Sequence, residues 1–499
     1  MPYHLSKKCG MIRPLIFTLR EDNMRQKWLK LGLAAAVLAL LAGCFSQSVD
    51  DLYAPPKAPD DYLMLDNRIN EVLSQGGEYA APLTGELTQK VQLQDLDGDG
   101  IKEAIAFFRV SSDDRPLKIY IYRQVEEDYE VAAIIEGQGG ESAINAVYYE
   151  NLDGSPSKEI VVSWQVSGDQ RQILSVYAIQ GRTVEELVRT EFTGIRIFDL
   201  DGDGQKELAV IHEADLSQGR TIEDGTVMSM TRRSNRVELY NVRDGVLELE
   251  STAPLSQNVT GLLESRVKTG YLRDMVPAVF VPSYYGENSG LITDIFAWKD
   301  GAVTNITLDP DPEDPTVLQS SNTIRVYNAA GTDINGDGIL ELPDPYGLPD
   351  YQGDGTAPNF WAYRWRQFDV EGNAWPVFTT YHNEQDGWYF VLPEEWEGKL
   401  TLTRSDRSGG GERAVIFSYW EGNEAVEPVP FLAVYQLNGD NKELRAKLTG
   451  RFRLRPMGED ESETIYAARL YTDGWDCGLT EDEVKERFHL ILTDLTAGV

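Results

Sequence analysis

The chain has 499 residues, of which 41% are apolar and 10% aromatic, which excludes a disordered polymer and allows two or three domains with cores of their own. A formal charge of −35 excludes nucleic-acid backbones and anionic lipid headgroups as partners, and suits a solvated surface or one that collects cations. Of the three cysteines, Cys9 falls in a removable leader and Cys44 in a lipidation motif, described next, which leaves Cys477 and excludes a disulfide framework or a cysteine zinc site.

From Met24 the chain reads MRQKWLKLGLAAAVLALLAGC, with a basic start at Arg25, Lys27 and Lys30, an apolar run from Leu31, and small residues before Cys44. This is the three-part layout of a secretory signal. The apolar run of about 13 residues is shorter than the roughly 20 that a membrane-spanning helix needs. LAGC resembles the bacterial lipobox, which implies cleavage before Cys44, diacylation of that residue, and attachment to the outer face of the cell membrane. Residues 1–43 are therefore read as a signal segment with its true start at Met24. Residues 44–60, polar and marked by prolines, read as the tether of the lipidated chain.

DYLMLDNRINEVLSQGG has apolar residues at helical spacing and a Gly-Gly stop, which predicts a short helix. From about Leu83 the texture changes to short strands. Each unit has alternating apolar residues, a polar loop, a compact apolar run, a second alternating strand, a turn and a further strand. Five such units are clear, one of them (residues 278–308) without an acidic loop. A period of about 50 to 60 residues is that of blade-like repeats. The expected fold is mainly β: a propeller of six or seven blades over residues 61–380, including the helix. Past about Tyr381 the rhythm differs, so residues 381–499 are expected to form a smaller α+β domain, ending in a helix with its N-cap at Thr480.

The repeated loops carry the chemistry. DLDGDGIKE at Asp95–Glu103, DLDGDGQKE at Asp199–Glu207 and DINGDGILE at Asp333–Glu341 place oxygen-bearing side chains at positions 1, 3, 5 and 9 with a glycine at 6. NLDGSPSKE at Asn151–Glu159 is a worn copy in which Ser155 and Pro156 stand where Asp-Gly belongs. Acid–base catalysis needs carboxylates in contrasting environments, which one acidic turn repeated three times does not supply. Solvation alone explains acidity but not fixed spacing. A calcium ion explains both, because alternate residues of a tight turn aim oxygens at one centre. The ligands would be Asp95, Asp97, Asp99, the Ile101 carbonyl and Glu103; Asp199, Asp201, Asp203, the Gln205 carbonyl and Glu207; and Asp333, Asn335, Asp337, the Ile339 carbonyl and Glu341. An EF-hand is excluded, since it needs flanking helices and an acid at position 12, where Ala106 and Val210 stand in the first two loops and Asp344 in the third follows Pro343.

These loops match D-x-[DN]-x-D-G-x-x-[DE] and so resemble the calcium loops of FG-GAP/VCBS-type repeats, known from integrin α-subunit β-propellers and bacterial surface proteins. The resemblance covers roughly residues 80–380. It implies a calcium-loaded propeller and, with the lipobox, a bacterial lipoprotein.

Residues 359–396 hold five of the ten tryptophans, which read either as sugar-stacking platforms or as packing at a domain seam, the latter preferred. His212, His382 and His489 are far apart and read as structural or exposed. SGGGER at Ser408–Arg413 reads as a hairpin tip. The chain contains no GxSxG, Walker A or dinucleotide fingerprint and no evident catalytic set. The expected function is a surface-anchored, calcium-binding module that recognises an extracellular protein or glycan. The competing class is an extracellular hydrolase or lyase whose site is assembled from distant residues, and a signalling accessory is a third.

Overall fold

The computed structural model describes residues 60–126, 128–166, 172–213, 235–243, 246–286, 290–325, 329–351, 359–407, 411–455 and 464–491. The signal segment, Cys44 and nearly all of the tether lie outside the described residues. The expected helix is Asp60–Ser74, with Leu65 and Ile69 buried one turn apart on one face, and it stops at Gly76, which has φ +93°. Among the described residues no helix is long and apolar enough to cross a membrane.

The rest is mostly β, in consecutive antiparallel sheets. In the first, Gly77–Tyr79 and Val91–Gln94 pair with successive halves of Glu103–Val110, followed by Leu117–Val125 and Asp128–Glu136. The second runs Glu141–Glu150, Glu159–Val166, Gln172–Gln180, Thr183–Phe192, and the third Gly194–Phe198, Glu207–His212, Arg236–Arg243, Val246–Pro254. In the fourth, Val259–Leu262 and Lys268–Tyr271 share Pro277–Tyr285, followed by Gly290–Lys299 and Ala302–Asn305. The fifth is Leu342–Gly347, Trp361–Phe368, Ala374–Asn383, Trp388–Leu392 and Phe488–Leu490. The sixth is Leu400–Arg407, Glu412–Tyr419, Val429–Leu437, Ile465–Leu470 and Arg451–Arg453.

Side-chain alternation explains how these sheets pack. Successive residues of a strand point to opposite faces, so an apolar run such as EIVVSWQV must be covered on both. Ile160, Val162 and Trp164 join a core with Ile105 and Phe107 of the first sheet, while Val161 joins Leu208 and Val210 of the third. Ala209 and Ile211 turn the other way, toward Val279 and Val281 of the fourth sheet; Phe280 meets Leu342 and Phe368 of the fifth. Between the fifth and sixth, Trp388 and Phe390 pack with Phe417 and Leu432. Strands far from this inner position lose cover: no residue of Thr183–Phe192 is fully buried.

Two features differ from the sequence reading. The boundary expected after residue 380 falls inside the strand Ala374–Asn383, which pairs with Trp361–Phe368 on one side and Trp388–Leu392 on the other. Hydrogen bonding and the aromatic core carry the fifth sheet straight across that position. The last helix has the Thr480 cap, with Glu483 closing a capping box, but it ends at Arg487. Phe488–Leu490 pairs instead with Trp388–Phe390, because a buried Phe488 and a sheet edge outweigh helical periodicity. Of the tip expected at Ser408–Arg413, residues 408–410 lie outside the described residues; Arg407 pairs with Glu412.

Of the five clustered tryptophans, Trp365, Trp388 and Trp396 are buried, Trp396 lying 4.7 Å from Phe431. Trp375 is exposed, held by a 3.0 Å bond to Asp369 and by Arg273 over its ring. His212 bonds Glu238 at 2.8 Å, and His382 and His489 flank Tyr389 in a cross-strand ring ladder with spacings of 5.0 and 4.8 Å. Burial alone pulls the His382 imidazole down to about 3.

Severing the chain between residues 380 and 381 should leave two fragments that show no cooperative urea transition separately, whereas the intact chain shows one. Far-UV circular dichroism through a urea titration checks this; two independent transitions would restore the boundary.

Candidate metal centres

In the first three sheets an acidic or worn loop joins the first pairing strand to the buried strand beside it: residues 95–103, 151–159 and 199–207. The third acidic loop, residues 333–341, leads into Leu342–Gly347, and the strand before it is reduced to a bridge between Thr332 and Glu341. In the fourth sheet the same place is taken by a short turn at Arg273–Met275, where Asp274 and Met275 take φ values of +59° and +57°.

Each acidic loop is wound by its own side chains. The Asp95 carboxylate accepts from Gly98 N at 2.8 Å and Gly100 N at 3.0 Å. Asp199 does the same with Gly202 and Gly204 at 2.8 and 3.1 Å, and Asp333 with Gly336 and Gly338 at 2.7 and 2.9 Å. Asp97 and Asp99, Asp201 and Asp203, and Asn335 and Asp337 each accept the amide two residues later. Ile101, Gln205 and Ile339 are the last amides of these three series, so their carbonyls belong to the same turns. The glutamate at position nine is buried and accepts the amide of position two: Glu103 from Leu96 at 2.9 Å, Glu207 from Leu200 at 2.7 Å, Glu341 from Ile334 at 3.0 Å.

The result is convergence of oxygens. In the second loop one carboxylate oxygen from each of Asp199, Asp201, Asp203 and Glu207 lies within 4.8 Å of the others; Asp95, Asp97 and Asp99, and Asp333, Asp337 and Glu341, make similar groups. The second oxygens of Glu103 and Glu207 are buried without a hydrogen-bond partner. Burial pushes the Glu103 carboxyl up and takes those of Glu207 and Glu341 up to about 7. At Asp337 burial is outweighed by bonds from Ile339 N, Asn335 and Gln367, which hold its carboxyl below the usual range. Such a set of hard oxygens at a glycine-permitted turn fits a calcium-sized cation.

Two features were not foreseen from spacing. Gln367, on a strand of the fifth sheet, donates to Asp337 Oδ2 at 2.8 Å and Glu341 Oε1 at 2.7 Å. Only tertiary structure brings it there. The worn loop keeps the turn by other means: Glu159 accepts from Leu152 at 2.8 Å, Asn151 accepts from Gly154 at 2.7 Å and donates to the Ser155 carbonyl, and the Ser155 and Ser157 hydroxyls bond at 2.8 Å. The loops also touch in sequence order. Lys158 N donates to the Leu96 carbonyl at 2.8 Å, and Gly98 lies so close to Pro156 that a Cβ there would sit 2.4 Å from its carbonyl oxygen.

No family model matches the sequence, and no curated protein matches it. The FG-GAP/VCBS resemblance therefore rests on the loop residues alone. Among solved structures, the exotype rhamnogalacturonan lyase YesX aligns at 13% identity over 69% of this chain and 71% of its own, with a TM-score of 0.24. The Bacillus licheniformis rhamnogalacturonan lyase PL11 aligns at 13% over 70% and 76%, with a TM-score of 0.28. TolB from Acinetobacter baumannii aligns at 11% over 74% and 69%, with a TM-score of 0.20. At these scores the fold and chemistry of this chain must be argued from its own residues.

Gly98 has φ +75° and no room for a Cβ, whereas Gly100 has φ +88° with nothing within 4 Å of one. In chelator, Gly100→Ala should cost about 1 kcal/mol for the left-handed backbone. Gly98→Ala should cost at least about 1 kcal/mol more, from overpacking against Pro156. Urea melts compare the two, and equal losses would show that the loops do not press on each other.

Proposed function

We propose that the chain is an exported, lipid-anchored β-propeller whose three acidic loops each hold a calcium ion, and that it works outside the cell as a binding or scaffold module for a protein or glycan. The observation that carries the metal reading is Glu207: it is 1% exposed, has one carboxylate oxygen with no hydrogen-bond partner, and belongs to a group of four acids whose oxygens converge. A buried charge without compensation is costly, and a divalent cation turns the mutual repulsion of these carboxylates into attraction. The propeller reading is supported by the run of consecutive antiparallel sheets, each packed face to face on the next, which a ring of blades requires. The lipid anchor is supported by the signal layout and the LAGC sequence at Cys44. A binding rather than catalytic role is favoured because the clustered acids are taken up as ligands of a structural ion and the sequence carries no catalytic motif.

At a free concentration ten times the dissociation constant, each ion should add about 1.4 kcal/mol to stability. Chelation should lower the melting temperature and calcium should restore it better than magnesium, which dehydrates reluctantly. Calorimetric titration should find three ions, falling to two in Asp203→Asn. An unchanged melting curve in chelator would refute the assignment.

For the anchor, the mature protein should partition into detergent and carry the mass of a diacylated N-terminal cysteine, and Cys44→Ala should abolish both. A Cys44→Ala protein that is still cleaved before residue 44 and still membrane-bound would overturn the lipid anchor while leaving the calcium reading intact.

A further inference from the structure

The third acidic loop is built differently from the other two. Glu341 spends one oxygen on Ile334 N, as Glu103 and Glu207 do on Leu96 N and Leu200 N. The other oxygens of Glu103 and Glu207 are buried without a hydrogen-bond partner, whereas Glu341 Oε1 accepts from Gln367 Nε2 at 2.7 Å. The same nitrogen donates to Asp337 Oδ2 at 2.8 Å, and Asn335 Nδ2 reaches that oxygen at 2.9 Å. Asp337 Oδ1 winds the loop through Ile339 N, so Oδ2 is the oxygen left to face a cation. Gln367 is 5% exposed, and Arg273 donates to its Oε1 at 3.4 Å. That bond fixes which end of the amide is which: the NH2 group, not the oxygen, faces the carboxylates. The charge balance runs the same way. Position 3 is Asp97 or Asp201 in the first two loops and Asn335 in the third, so three carboxylates stand where the others have four. The Arg273 guanidinium, 5.2 Å from the Trp375 ring, adds a positive charge that acts on Asp337.

We infer that the third loop is a low-affinity, switchable calcium site, in which the Gln367 amide stands in for part of the ion's charge. To enter, a cation must displace a donor already bonded to two of the three carboxylates, and it meets one negative charge fewer than in the other loops. Ligand charge count is a main determinant of calcium affinity. The first two loops would fill first, and the third would fill and empty as calcium rises and falls. Its place makes this consequential: the loop touches the fourth sheet through Leu340 N, which donates to the Tyr271 carbonyl at 3.0 Å, and the fifth through Gln367. The inference rests on the calcium reading above and adds an order of filling to it.

The test is a calorimetric titration of the calcium-stripped full chain with calcium. Two ions should bind tightly and a third with a dissociation constant at least about tenfold higher. Asp337→Asn should remove the weak step and leave the tight ones, whereas Asp203→Asn should remove a tight one. Gln367→Leu should strengthen the weak step several-fold, because the competing donor is gone; a glutamine that served as a ligand, or only kept the loop in shape, would leave the opposite sign. Arg273→Met, at an exposed position, should also strengthen it and serves if Gln367→Leu fails to fold. Three equal steps, a weak step lost in Asp203→Asn, or a weak step that Gln367→Leu or Arg273→Met leaves unchanged or weakens would each overturn the inference while the calcium reading stands. No calcium uptake by the parent chain would overturn both.

Discussion

At the entry to four strands, a glutamate oxygen accepts the amide proton of the residue seven positions earlier: Glu103 from Leu96, Glu159 from Leu152, Glu207 from Leu200 and Glu341 from Ile334. In the first three the amide is fixed while the side chain it belongs to goes into a core between sheets. Leu96 lies between the first and second sheets, Leu152 between the second and third, and Leu200 between the third and fourth. A hydrogen bond to a charged acceptor contributes about 1.5–3 kcal/mol net, so each clasp is comparable to the leucine it orients. Glu207 and Glu341 also belong to the oxygen clusters of their loops, so one side chain couples each of those clusters to the strand it opens.

Of the two sheets without such a loop, the fourth is fastened differently. In the fourth sheet Asp294 is fully buried and accepts from Ser256 N at 3.0 Å, Ser256 Oγ at 2.6 Å, Ser320 Oγ at 2.6 Å and Asn305 Nδ2 at 2.8 Å. Burial raises its carboxyl against these bonds. The segments on either side of the sheet are thus drawn to one acid inside it, where the first, second, third and fifth sheets use an acid at their rim.

Much of this was legible in the sequence because it is periodic. Loops with side chains at positions 1, 3, 5 and 9 read directly as oxygen clusters, and compact apolar runs such as LAVIHE read as strands, though not as strands covered on both faces. The unit over residues 278–308 was visible from strand rhythm alone. Pairings across long separations left no local trace. Phe488–Leu490 adds to a strand about a hundred residues earlier, and its own residues carry a helical spacing that the sheet overrides. Gln367 reaches Glu341 only because Leu342 and Arg366 are cross-strand partners.

The worn loop has a consequence for how the chain comes apart. Its turn is closed largely by the Asn151 amide and the Ser155 and Ser157 hydroxyls, and its two acids, Asp153 and Glu159, form no oxygen cluster, whereas the flanking loops must hold clustered carboxylates together. If the flanking loops hold cations as proposed, withdrawing them would open the backbone at residues 95–103 and 199–207 to proteases, while residues 151–159 between them would stay closed. Limited digestion would then release the intervening segment as one piece, with ends that mark the two loosened turns.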